Sequence, residues 1–210
     1  MTRICTLADP ERVALRAAAE IAQHLARARE ARGVAHLALS GGTTPGRTHE
    51  LLARALPDWE AVEVWFADER CVPPGDERSN HLLARRTLLT PAGIPAERVH
   101  RMEGELGPEE GARRYEQELR EHVAPEETPE ETGAGPPALD VIVLGIGPDG
   151  HVASLFPGAA TLGAPPGRLC LPVLDSPKPP PERITLSLSV LRAARRCILL
   201  ATGAAKAEAV

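Results

Sequence analysis

The side chains in this sequence that can do chemistry gather in two glycine-rich segments and one charged triplet. SGGTTPG, residues 40–46, sets the hydroxyls of Ser40, Thr43 and Thr44 around Gly41 and Gly42, just ahead of an expected helix. Those glycines let backbone N–H groups approach an anion closely, and a helix N-terminus favours negative charge, so the segment reads as a phosphate cradle. It lacks the Gly-Lys-Ser/Thr ending of a nucleoside-triphosphate loop. An ordinary tight strand-to-helix turn is the plainer alternative. GIGPDGH, residues 145–151, fits the dinucleotide pattern GxGxxG through Gly145, Gly147 and Gly150. Pro148 and Asp149, however, put a turn and a negative charge where a pyrophosphate would approach, and Pro157 arrives too soon for the helix that pattern needs. The better reading makes the segment a mount for His151, with Asp149 near enough in sequence to orient the imidazole or raise its basicity. Asp68, Glu69 and Arg70 read either as an exposed ion-pair cluster or as pocket lining. Two more cations are candidates. Arg183 precedes a short apolar strand, and Lys206 follows Gly203 at the start of an expected last helix. An ammonium there meets the positive end of the helix dipole, a poor placement unless an anion sits beside it.

These segments are far apart in the chain, so the elements between them must bring them together. Residues 9–32 read as a helix: Asp9 caps it, Pro10 suits its first turn, and Val13, Ala17, Ile21 and Leu25 form one face. Gly33 ends it. Residues 34–39 are almost wholly apolar, as expected of a strand covered on both faces, although His36 interrupts them. A helix through Leu56, a strand over 62–67 running into 68–70, and a helix over 80–89 follow. Residues 99–102 form a weaker strand. Residues 108–123 read as a charged helix with a solvated face, and 125–137, PEETPEETGAGPP, as an exposed loop. A buried strand is expected at 140–144, and further strands at 169–173, 184–188 and 197–201. The alternation implies one α/β domain, Rossmann-like: an open, largely parallel sheet with helices on both faces. Ligands of such sheets bind beyond the carboxyl ends of the strands, where the three chemistry-bearing segments should converge.

Composition narrows the classes. Of 210 residues 43% are hydrophobic and 25% charged, and the formal net charge is −5. A polyanion partner is therefore disfavoured, and five aromatic residues in all leave little for a base-stacking platform, so no nucleic-acid role is expected. No apolar run is long enough to span a bilayer, and no signal-peptide pattern opens the chain. A cytoplasmic monomer is expected. The cysteines Cys5, Cys71, Cys170 and Cys197 lack the close spacing of a zinc or CxxC site, so they are expected to be free thiols, mostly buried. Lysine is rare: Lys178 and Lys206 are the only two among 24 cations.

In order along the chain, SGGTTPG, VWFADERCVPPGDERSN (64–80), GIGPDGHVASLFPG (145–158), RITLSLSVL (183–191) and the 203–206 stretch resemble the 6-phosphogluconolactonases. The resemblance runs from about residue 7 to the end. It implies hydrolysis of 6-phospho-D-glucono-1,5-lactone to 6-phospho-D-gluconate in the oxidative pentose phosphate pathway, without cofactor or metal. It also implies the Rossmann-like fold shared with amino-sugar-phosphate deaminases. Carried over residue by residue, it makes His151 the general base and Asp149 its support. Ser40, Gly41, Gly42, Thr43, Thr44, Lys206 and Arg183 would hold the substrate phosphate, Arg70 would approach the substrate, and Asp68 would line the site. The family usually continues through a further helix and strand beyond the position of Val210. Two alternatives stand beside the lactonase. An amino-sugar-phosphate deaminase would carry an Asn-Glu-Pro segment after its Asp-Gly-His, where this chain has Ser154, Leu155, Phe156 and Pro157. A non-catalytic sugar-phosphate-binding regulator would be expected to lose His151 or Asp149, and neither is missing.

Overall fold

Asp9 caps helix α1 (Pro10–Arg32), its carboxylate accepting from Arg12 N at 2.8 Å, and Gly33 closes it with φ +79°. Ala17, Ile21 and Leu25 face the core as expected. The computed structural model describes residues 2–125, 135–165 and 167–210. Residues 126–134 of the loop expected at 125–137 lie outside them, and its ends, Pro125 and Pro137, meet in an isolated antiparallel bridge.

Strands β1 (Ala35–Leu39), β2 (Val62–Phe66) and β4 (Val141–Gly145) form a parallel sheet with β7 (Cys197–Leu200), in the order β2-β1-β4-β7. Every residue of β1 is buried, the signature of a parallel strand covered on both faces. His36 is tolerated there because its Nδ1 accepts the indole N–H of Trp65 at 3.1 Å. The chain proceeds from β1 outward to β2 on one side, while β4 lies on the other, so the crevice between the ends of β1 and β4 is a topological switch point. Helix α2 (Thr43–Ala55) begins just past β1.

Part of the expected sheet is a separate structure. The Asp68–Arg70 triplet is itself a strand, β3, which pairs antiparallel with β6 (Arg183–Leu186), and β6 pairs antiparallel with β5 (Cys170–Val173). The connection between β5 and β6 contains no helix, so the right-handed crossover that parallel pairing requires is absent and the strands turn back on each other. Helix α4 (Pro108–His122) packs on this second sheet through Gly111, Ala112, Tyr115 and Leu119, so only its outer face is the solvated, charged surface expected. Tyr115 OH donates to Phe66 O and accepts from Phe66 N, fixing the chain where it leaves one sheet for the other.

Three smaller expectations are corrected. Residues 99–102 contribute one bridge, Val99 to Val64, instead of a strand. The helix expected over 80–89 is α over Asn80–Ala84 (α3) but π over Arg85–Leu89, and α5 (Leu188–Ala193) completes the α-helices among the described residues. Only Cys170 is buried; Cys71 is half-buried, and Cys5 and Cys197 are exposed, Cys197 because β7 ends the strand order.

Candidate active site

Beyond the carboxyl ends of β1 and β4 lies a cavity of about 440 Å³. Its wall brings together Ser40, Gly41, Gly42, Thr43, Thr44, Asp68, Arg70, His151, Arg183 and Lys206, joined by Lys178 and Thr202. The three segments converge as the topology demands.

One wall is the 40–44 turn. Helix α2 starts after Gly42, at φ +105°, with no side chain capping its first turn, so its N-terminal N–H groups lack a protein partner of that kind. Thr44 Oγ1 is 2.7 Å from Thr202 Oγ1, which ties the turn to the segment leading to Lys206. The Ser40 hydroxyl donates back to Val143 O, linking the ends of β1 and β4, and its lone pairs remain available. Gly41 allows no side chain: a Cβ there would lie 1.9 Å from Asn80 Oδ1. Lys206 sits on a 3-10 turn, Ala204–Lys206, so the helix-dipole argument for it lapses, but its place on the cavity wall stands.

The opposite wall is the 145–151 loop. His151 Nδ1 lies 2.6 Å from Asp149 Oδ1, and the imidazole packs at 4.5 Å on the Phe156 ring. Gly147 explains why the loop is glycine-rich: a Cβ there would meet His151 Nδ1 at 2.1 Å and Asp149 Oδ1 at 2.3 Å. Gly150 takes φ +85° to turn the chain back. The glycines thus make room for an imidazole–carboxylate pair, not for a pyrophosphate. Burial alone would raise the Asp149 carboxyl, but hydrogen bonds from His151 and Lys178 outweigh it and hold the group well below the usual carboxylate range. With Nδ1 committed to Asp149, Nε2 is the nitrogen left to take a proton.

The floor is polar and buried. Asp68 accepts from Ser154 Oγ at 2.7 Å and from Asn80 Nδ2 at 3.0 Å. Arg183 is also buried, its Nε and Nη2 donating to the carbonyls of Pro180, Lys178 and Pro179 and its Nη1 contacting Ser154 Oγ at 3.4 Å. Only one Nη1 hydrogen is left for a ligand. Arg70 lines the cavity while an Nη1 donates to Arg78 O. Glu69, grouped with its neighbours by sequence, points away into the interior and accepts four hydrogen bonds. Lys178 is the residue that sequence reading noticed only for its rarity. Its Nζ donates to Asp149 Oδ1 at 3.0 Å. Among the described residues, no cluster of three or more His, Cys, Asp or Glu side chains is arranged to hold a metal ion, and no helix is long and apolar enough to cross a membrane.

A family model described as glucosamine-6-phosphate isomerases/6-phosphogluconolactonase matches residues 8–210. The chain belongs to this family. Within the glucosamine-6-phosphate isomerase/6-phosphogluconolactonase family, a 6-phosphogluconolactonase of Streptomyces coelicolor is 39% identical over 211 residues, covering 96% of this chain and 78% of that one. The solved 6-phosphogluconolactonase of Trypanosoma cruzi superposes with a TM-score of 0.86 at 27% identity, covering 98% of this chain and 82% of its own. A monomeric glucosamine-6-phosphate deaminase, 21% identical, shares the fold with a TM-score of 0.78.

Proposed function

We propose that this crevice hydrolyses 6-phospho-D-glucono-1,5-lactone to 6-phospho-D-gluconate in the oxidative pentose phosphate pathway, with His151 activating the attacking water. The observation that carries the reading is His151, paired with Asp149 behind it, facing the 40–44 turn across one cavity. His151 Nε2 takes a proton from water as its oxygen bonds to the lactone carbonyl carbon. The resulting imidazolium returns that proton to the ring oxygen as the ring C–O bond breaks, so base and acid are one residue and no covalent intermediate is required. Asp149, ionised throughout, stabilises the imidazolium between the two steps. The 40–44 turn and Lys206 hold the remote phosphate, whose binding energy positions the carbonyl. Arg183, with most of its donors engaged, contributes charge and shape from beneath, Arg70 approaches the sugar, and Asp68 lines the floor through its contact with Ser154.

The deaminase reading is weaker because Ser154, Leu155 and Phe156, which follow the Asp-Gly-His segment, are buried and include no carboxylate. A cytoplasmic, monomeric enzyme acting without cofactor or metal belongs to the same proposal. The test is to generate the lactone fresh and follow 6-phosphogluconate above the spontaneous background. No excess rate would remove the lactonase reading. Lys206→Ala is expected to raise KM about tenfold while leaving kcat within about threefold, since a remote phosphate contact is largely uniform binding. A loss confined to kcat would contradict that placement of the phosphate.

A further inference from the structure

Lys178 stands 27 positions from His151 in sequence, yet its Nζ lies 3.0 Å from Asp149 Oδ1 and 3.5 Å from His151 Nδ1. One carboxylate oxygen therefore serves both the imidazole and an ammonium. The lysine is held there by its backbone. Its carbonyl accepts from Arg183 Nη2 at 3.0 Å and from Ser176 Oγ at 3.0 Å, and its N–H donates to Ser176 Oγ at 3.2 Å. The buried Arg183 thereby braces the segment that carries Lys178.

We propose that Lys178 is a positioning residue that offsets the charge of Asp149 and so keeps the His151 imidazole neutral, ready to accept a proton, near neutral pH. The inference rests on the reading of His151 as the base. An imidazole beside an ionised carboxylate alone is driven toward its protonated form, in which it can orient a substrate but cannot take a proton from water. Adding an ammonium to the same oxygen opposes that drive in two ways. It repels an imidazolium at 3.5 Å, and it takes part of the carboxylate's accepting capacity. With His151 neutral, the trio of Asp149, Lys178 and His151 carries no net charge; when the imidazole takes a proton, the cost is limited by Asp149, which still accepts from its Nδ1. The base is thereby kept available without losing the partner that orients it.

Other groups around the imidazole do not substitute for this role. Phe156 packs on the ring without charge, and Arg183 lies over the Phe156 ring, 5.7 Å from its centroid, with Nε and Nη2 turned to the 178–180 carbonyls and Nη1 to Ser154. Asp68, Arg70 and Lys206 line the remainder of the cavity, and among the described residues none of the three hydrogen-bonds to His151 or Asp149. In a chain whose cations are overwhelmingly arginine, a lysine at this point is also chemically apt. A compact ammonium places a point charge beside the imidazole nitrogen on the shared oxygen.

The experiment is an NMR titration of the His151 ring in the substrate-free protein, its resonance assigned among the seven histidines by its absence from His151→Ala. The variants are Lys178→Met, which keeps the apolar stem, and Lys178→Arg, which keeps the charge. In Lys178→Met the ring's titration midpoint is expected to rise by about one pH unit, and Lys178→Arg should restore it most of the way. The acid limb of kcat/KM on the lactone should move with it, so that activity at a pH below both limbs falls about tenfold. A midpoint that stays in place in Lys178→Met overturns the proposal whatever happens to activity. If the midpoint moves and the acid limb does not, the coupling between Lys178 and His151 stands, and it is His151 as the base that is lost.

Discussion

His151→Ala is expected to lower kcat on the lactone by about a thousandfold while changing KM by less than about threefold, the mark of a group that acts in the transition state and not in binding. General bases contribute about a hundredfold to ten-thousandfold, and among the described residues no second histidine lines the cavity to take over. Residual catalysis should survive if the 40–44 turn and the polar floor hold the lactone as proposed. The fold should survive as well. The imidazole meets the cavity, it donates from Nδ1 to Asp149, and Asp149 remains paired with Lys178 when the ring is removed. The pH profile sharpens the test. Asp149 is held far below the carboxylate range, so its own titration lies outside any acid limb seen near neutral pH. An acid limb that reports the base is expected to vanish in His151→Ala. An undiminished rate, or an acid limb unchanged in the variant, would remove His151 from the mechanism.

What can be read from sequence follows the range of the interactions involved. The 40–46 and 145–151 segments are legible because their pattern is local: glycines, hydroxyls and a histidine sit at the ends of apolar runs, and a parallel sheet brings such ends together by its topology. The direction of strand pairing is less legible. Cys170–Val173 and Arg183–Leu186 are short strands like β4 in length, and the missing helix between them signals a reversal. Lys178 is illegible as a site residue because its position depends on Arg183 gripping backbone carbonyls, a contact that leaves no pattern in the spacing. Its rarity is the only available signal. The acid-base triplet at 68–70 misleads for a different reason. A strand alternates its side chains, so adjacent charged residues need not share a surface. Asp68 faces the cavity floor while Glu69 turns into the interior beneath helix α3.

Glu69 is for that reason the second residue with a large expected effect, on stability first and on activity through it. Its carboxylate, 3% exposed, accepts Arg70 N and Asn80 N on one oxygen, each at 2.7 Å, and His81 N at 2.8 Å with Ser79 Oγ at 2.9 Å on the other. Two of those donors are the opening N–H groups of α3, which have no partner within the helix. Glu69→Ala strands them in the interior. Each buried donor left unpaired costs about 1 to 3 kcal/mol, and water entering the vacated space recovers part of that, so a loss of about 4 kcal/mol is expected. For a chain of this size that corresponds to a fall in Tm of roughly 8 to 16 °C. Glu69→Gln should cost less, about 2 kcal/mol, because the amide oxygen keeps two of the donors while its NH2 faces the others. Urea unfolding of the three proteins checks the order; an alanine variant within about 1 kcal/mol of wild type would contradict the account. Activity should follow the same order well below the melting range. Glu69 anchors Arg70 through its backbone and Asn80 through its N–H, and Asn80 in turn holds Asp68, so loosening this one carboxylate loosens the floor of the cavity from beneath.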